Sequence, residues 1–380
     1  MKHTFYTLSM LALFAVNGVT AAVTPTVMSP LPQQVGESSG LVAGQNGENW
    51  SHNDGYGDNH LYGFNNSGVL SRTLTVSNAV NTDWEDITHD AGFNHLFIGD
   101  FGNNANDRTN LKIFRIPYPT SSTPSTVTAD VIRFSYPDQQ QFPSTWMNFD
   151  AEAFLHHNGS LYIFTKPDGI AVGYTKLYRI PDQPGTYVAT LIDSFYTNDR
   201  PTSVAINADG SAIVLLAVSR IHLFQNWTAD NFFSGQYTRI SFGGTYTQKE
   251  AISFRTLSEI MLTDENNGVG NFLYQIDMAP FLTAPTSSSG NSPSTTTGVD
   301  KVVVFPNPAS DFINIRPIQT KDNDVYFELF DVLGNQLKSA TLPAMIGLRM
   351  DVSTLPVGTY YYRVSDSDRE LLTKRLVISR

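Results

Sequence analysis

The sequence predicts an all-β protein: a β-propeller of five blades, or six, followed by a small Ig-like β-sandwich. Three observations predict it. Helical period is almost absent, and short apolar runs rich in aromatic and β-branched residues lie between Gly, Asn, Asp and Pro clusters. The runs recur as units of roughly 50 residues, the period of propeller blades. The last 80 or so residues alternate apolar and polar cleanly, as half-buried strands do.

The chain opens with an address. Lys2 and His3 precede an apolar run from Leu8 to Val16, and Val19-Thr20-Ala21 reads as a V-x-A cleavage site. Residues 1–21 are therefore expected to be a secretory signal peptide. The run is shorter than the roughly 20 residues that a bilayer span needs, and no transmembrane segment is expected later in the chain. The chain has no cysteine. That excludes a disulfide scaffold, a thiol nucleophile and any thiolate metal site, so an exported fold must rest on its core.

Residues 24–283 carry the repeat. One column of positions is Ser39, Glu85, Glu152, Ser203 and Glu250, with steps of 46, 67, 51 and 47 residues, and each is followed by an apolar stretch. A second column, Asp54, Asp100, Lys166, Ala217 and Asp264, follows at offsets of 15, 15, 14, 14 and 14. A third strand brings Leu61-Tyr62, Ile113-Phe114, Leu177-Tyr178, Leu223-Phe224 and Leu273-Tyr274. Near-constant offsets favour a propeller over a sandwich with accidental similarity between strands. The last unit lacks an outer strand, which residues 24–36 are expected to supply.

Residues 284–299, APTSSSGNSPSTTTGV, have nothing to bury and read as a linker. Residues 300–380 form the sandwich, with turns marked at Gly334-Asn335 and Gly358.

Charge limits the function classes. The net charge is −11, and it lies upstream of residue 300, because the tail carries ten basic and ten acidic residues. A nucleic-acid partner would need clustered Lys and Arg, so none is expected. The sequence has no G-x-S-x-G elbow, no P-loop and no H-E-x-x-H.

A propeller's innermost strands line its channel. The first column starts those strands and the second ends their antiparallel neighbours, so both open on one face. That mouth would gather Glu85, Glu152, Glu250, Asp100, Asp264 and Asp54, with Asp83, Asp86 and Asp150 as outer neighbours. Lys166, Arg108, Arg200, His52 and His89 are the candidate counter-charges.

Three readings stay open. Glu85, Asp100, Glu152, Glu250 and Asp264 could bind calcium, which accepts six to eight oxygens including several carboxylates. Alternatively, Glu152 and Glu250 could be the paired carboxyls of a secreted hydrolase acting on carbohydrate or ester bonds. Lys166 or Arg200 would then orient the substrate, whereas on the calcium reading Asp54, Arg108, Lys166 and Arg200 could bind a polar ligand beside the cation. Finally, the acids could be architectural, accepting hydrogen bonds between blades of a propeller that serves protein interaction without catalysis. Trp50, Trp84 and Trp146 are candidates for stacking on sugars at the mouth or for core packing.

Two resemblances complete the reading. In the tail, Phe305-Pro306-Asn307-Pro308-Ala309, Phe330-Asp331-Val332-Leu333-Gly334, Leu355-Pro356-Val357-Gly358-Thr359-Tyr360 and Lys374-Arg375-Leu376-Val377-Ile378 together resemble the type A C-terminal sorting domain of the type IX secretion system. The resemblance implies a Bacteroidota cargo whose tail engages the type IX machinery, and a passenger that is secreted or held at the outer-membrane surface. Upstream, Glu37–Leu41, His52–Asp54, Asp83–Asp86 and Gly99–Asn104 with Arg108 are similar to uncharacterised secreted propeller proteins. That likeness implies no residue roles.

Overall fold

The computed structural model describes residues 19–44, 47–55, 57–144, 147–168, 173–243, 247–266, 268–282, 302–305, 309–317, 325–331, 334–342, 348–365 and 370–379. The linker expected at 284–299 and Trp146 lie outside them. The described chain is all-β, with one short 3-10 turn at Phe232–Ser234.

Five sheets precede the tail, and each runs outward from an inner strand in chain order. The inner strands are Ser38–Ala43, Trp84–His89, Ala151–His157, Pro201–Ile206 and Lys249–Phe254. Each pairs antiparallel with the strand after it. No sheet closes on itself into a barrel. Instead the inner strands pack on one another in cyclic order, with Lys249–Phe254 packing back on Ser38–Ala43.

The cores show why. Each sheet is apolar on both faces, and five buried clusters fill the five spaces between neighbouring sheets. Trp50 and Leu61 of the first sheet meet Trp84, Leu96 and Ile98 of the second. Phe97 and Ile113 of the second meet Phe154 and Ile163 of the third. Tyr162 and Phe164 of the third meet Ile213 and Leu215 of the fourth. Val214 and Leu216 of the fourth meet Ile260 and Leu262 of the fifth. Leu41 and Phe64 of the first close the cycle against Met261 and Leu273. Period-2 alternation thus sends Ile213 and Leu215 one way and Val214 and Leu216 the other, so a strand buried on both faces reads as a continuous apolar run.

The fifth sheet's outer strand is Thr26–Pro30, paired antiparallel with Phe272–Asp277, so chain segments from both ends of the repeat share one sheet. Three other edges carry short parallel strands. Thr126–Val127 lies on the first sheet, Gly185–Val188 on the second and Val19–Val23 on the fourth. Such covers blunt edges that would otherwise pair with other chains. The expected cleavage site falls inside Val19–Val23.

Every inner strand has a β-bulge at the same place, where Ser39, Glu85, Glu152, Thr202 and Glu250 are left without a partner across the ladder. The structure therefore corrects the expected column in the fourth unit: the equivalent position is Thr202, and Ser203 is its neighbour.

Asp86 also moves. Expected outside the mouth, it is fully buried among the inner strands. Its Oδ1 accepts the Ile87 amide at 2.9 Å. Its Oδ2 accepts the Phe154 amide at 3.3 Å and the Ser203 hydroxyl at 3.1 Å. Three inner strands thus converge on one carboxylate. Trp50 and Trp84 are fully buried in the core and do not line a mouth.

In the tail, Val302–Phe305, Phe312–Pro317 and Leu348–Asp351 form one sheet, and Gln336–Leu342, Val325–Phe330, Gly358–Ser365 and Glu370–Ile378 another. They share a core that includes Ile313, Phe327, Leu329, Tyr362 and Leu376.

Removing the Asp86 carboxylate orphans donors from three strands at once. Each orphan costs about 1–3 kcal/mol. Asp86→Ala is expected to lower unfolding free energy by about 3 kcal/mol or more in urea titration, with the loss carried by the midpoint.

Candidate functional site

The bulge explains how acids of different inner strands come together. A bulge adds a residue to one strand and re-aims its side chain. Here it turns Glu85, Glu152 and Glu250 out of the ladder. Two residues upstream of the first two stand Asp83 and Asp150. From the neighbouring strand ends come Asp54, Lys166 and Glu265, whose amides donate to the carbonyls of Glu37, Asp150 and Gln248. The second sheet makes the same bond with a glycine, Gly102 to Asp83. A Cβ there would overlap Glu85 Oε1 and Asp83 Oδ2, so the two carboxyls fill the volume that other units give to a side chain.

Two acid triads result. Oxygens of Asp54, Asp83 and Glu85 lie within 4.8 Å of one another, as do those of Glu85, Asp150 and Glu152. Glu85 belongs to both. It is 4% exposed. Among the described residues its carboxylate accepts no hydrogen bond and forms no ion pair. Asp54 accepts the Gly55 amide at 2.6 Å, Asp150 the Asn103 amide at 2.6 Å, and Glu152 pairs with Lys166.

Crowding and burial show in the proton affinities. Burial, then the charges of Glu152 and Asp54, push Glu85 well above the carboxylate range. Burial likewise raises Asp54. Burial with Asp54 beside it holds Asp83 at about 6. Burial raises Asp150 to about 6 despite Lys166. Burial raises Glu152 well above its usual value although Lys166 opposes this. Glu250 is pushed to about 7 by burial and Glu265, and Glu265 to about 7 by burial and Asp54. Burial works against the Lys166 ammonium, but Glu152, Asp150 and Glu85 hold it above its ordinary value.

The other nominated residues are not members of the triads, although Arg108 acts on Asp83 and Arg200 on Asp150. Asp100 lies within the strand and points into its own sheet, meeting Arg108 at 2.7 Å and Lys112 at 2.8 Å. Asp264 accepts the Asn271 and Phe272 amides at 2.7 and 2.6 Å and the Tyr274 hydroxyl at 2.6 Å, and pairs with Lys249 at 3.1 Å. Despite burial, those donors hold it below the carboxylate range. Arg108 also donates to the Gly102 carbonyl at 2.6 Å and so anchors its own loop. Arg200 is half exposed, 3.5 Å from Asp168. His52 is buried and pushed down to about 4 by burial, hence neutral. His89 borders a cavity of about 370 Å³ at the far ends of the inner strands, with Ile87, Val204 and Ile252.

Sequence reasoning missed Glu265 and gave Asp83 and Asp150 only a peripheral place. The signal for Glu265 was its position one past Asp264, as Asp54 is one past Asn53 and Lys166 one past Thr165.

Chemically, the cluster offers oxygens in excess of donors. It can hold protons near neutrality or gather around a cation. Of the two carboxyls nominated for hydrolysis, Glu250 has a proton affinity suited to general-acid work, whereas Glu152 is engaged by Lys166.

Comparison with known proteins bears on the tail. Residues 303–379 match a secretion system C-terminal sorting domain. The tail makes the chain a type IX secretion cargo, and thus a secreted or outer-membrane-surface protein. No curated protein matches the chain. Among solved structures, a putative 6-phosphogluconolactonase from Bacteroides uniformis is similar at 11% identity and a TM-score of 0.31, over 94% of this chain and 90% of that one. A likeness that distant carries no argument about activity. No helix among the described residues is long and apolar enough to cross a membrane.

The raised carboxyls couple to stability. Unfolded Asp and Glu titrate near 4, and the folded groups release their protons nearer 6 to 7. Between those values the folded chain binds more protons, so its stability falls as pH rises. In EDTA the melting temperature is expected to drop from pH 5 to pH 7.5. Melts that rise across that window would contradict the geometry.

Proposed function

We propose that the chain is an exported two-domain protein whose region 24–283 is a five-bladed propeller that binds a divalent cation, calcium, at its acidic mouth. On this reading residues 1–21 are the signal peptide, 284–299 the linker and 300–380 an Ig-like sorting module. The sorting module carries no chemistry.

One observation carries the cation reading. Glu85 is buried, stands among four other carboxylates and has no donor of its own among the described residues. An ionised carboxylate taken from water without a partner costs several kcal/mol. Either protons or a cation must neutralise it. Calcium suits the donor set, since it takes carboxylates, carbonyls and water together at 2.3–2.6 Å. Asp54, Asp83 and Glu85 would supply the first oxygens, with Asp150 and Glu152 adjoining through Glu85. Asp100 and Asp264 fall out of the ligand set, because their oxygens are taken by cations and amides of their own sheets.

A ligand that binds only the folded state stabilises by about 2.7 kcal/mol at a hundredfold excess over Kd. Calcium is therefore expected to raise the melting temperature by several degrees at pH 7.5. The rise should be smaller at pH 5, where protons compete. Glu85→Gln should lose most of the shift while raising the metal-free melting temperature, because the cost of burying that carboxyl, whether ionised or protonated, is gone. An unchanged melt up to millimolar calcium at pH 7.5 would remove the proposal.

The export part is separable. Deleting 301–380 is expected to leave a folded passenger inside the outer membrane, detected by cell fractionation. Passenger found in the medium at wild-type level would show that another segment directs export.

A further inference from the structure

The two triads share Glu85 but differ in one respect. Asp54, Asp83 and Glu85 make no ion pair among the described residues. On the other side, Lys166 forms its ion pair with Glu152 and is 16% exposed; its charge acts on Asp150 and Glu85, and reaches Asp54 of the first triad without pairing with it. Its backbone is fixed there too, the amide donating to the Asp150 carbonyl at 2.9 Å. A lysine ammonium is a compact point charge with three donors and no acceptor.

We infer that Lys166 is a tethered cation filling the Glu85–Asp150–Glu152 triad, so that the mouth holds one divalent ion, at Asp54–Asp83–Glu85. The inference rests on the cation reading above and deepens it. Geometry argues for it in two steps. Glu85 is the unpartnered, more than nine-tenths buried group, and it is aimed at both triads. One triad already has an ammonium against it, and a second divalent ion there would face a like charge at close range without water to screen it. Lys166 therefore limits stoichiometry, and it holds the second triad together when no metal is present. On this inference it is a positioning residue.

Equilibrium dialysis of the full chain with calcium chloride at pH 7.5 reads the stoichiometry directly. The expected values are one ion for the wild type, two for Lys166→Met and one for Lys166→Arg, which keeps the charge. One ion on Lys166→Met, or two on the wild type, would overturn the inference and leave the cation reading standing. No bound ion on the wild type would remove both. A second measurement needs no variant. Lys166 should acetylate equally slowly, within twofold, with and without saturating calcium when followed by peptide mass spectrometry. A fivefold or greater rise on adding calcium means that the metal displaces the ammonium, and it refutes the assignment.

Discussion

The structure depends on a buried carboxylate that does not face the mouth. Asp86 takes an amide of its own strand, an amide of the third inner strand and a hydroxyl of the fourth. Ser203 passes the link on by accepting the Ile252 amide at 3.3 Å. Ser253 accepts the Ala43 amide at 2.9 Å, and Ser39 donates to the Glu85 carbonyl at 2.6 Å. Short side chains thus stitch five strands that share no ladder with one another. Directional bonds thus help to fix the spacing of the inner strands. Burial makes each such bond hard to lose, because no water can replace it.

The same local geometry produces the site. Asp86 and Glu85 are adjacent, and the bulge at Glu85 sends the two side chains to different fates. Asp86 meets three donors and becomes structural. Glu85 meets other acids and no donor. A carboxylate's role here is set by the supply of N–H and O–H groups around it, not by its place in a repeat. Asp264 makes the point from the other side. It stands at the end of its strand, as Asp54 nearly does, but two amides, a phenol and an ammonium use up its oxygens.

Those differences mark how far the sequence could be read. Five apolar units were visible because both faces of each strand are buried, which leaves long runs such as Ala212–Ala217. The partnership of residues 24–36 with the last unit was legible from a missing strand. The column positions were less so. A bulge inserts one residue, and a one-residue shift flips a side chain to the other face. Counting offsets put Asp54 and Asp100 in one column, although Asn53, not Asp54, lies at the strand position of Asp100. The same slip put Ser203 where Thr202 belongs and hid Glu265 behind Asp264. Composition recorded that acids were plentiful, but it could not show which ones had donors.

The balance between the two kinds of acid also sets what the fold can tolerate. With no cysteine, no disulfide holds the sheets, and five inter-sheet cores must offset the repulsion stored in the acid cluster. A cluster with fewer acids would be more stable alone but would have little to offer a cation. A cluster without Lys166 would offer more and cost more. On the cation reading the chain lies between these limits: a single built-in ammonium keeps the metal-free protein folded, and one triad is left unneutralised. Asp86 binds neighbouring inner strands while the adjacent Glu85 turns toward other acids, so the constraint imposed by the one and the function proposed for the other do not compete.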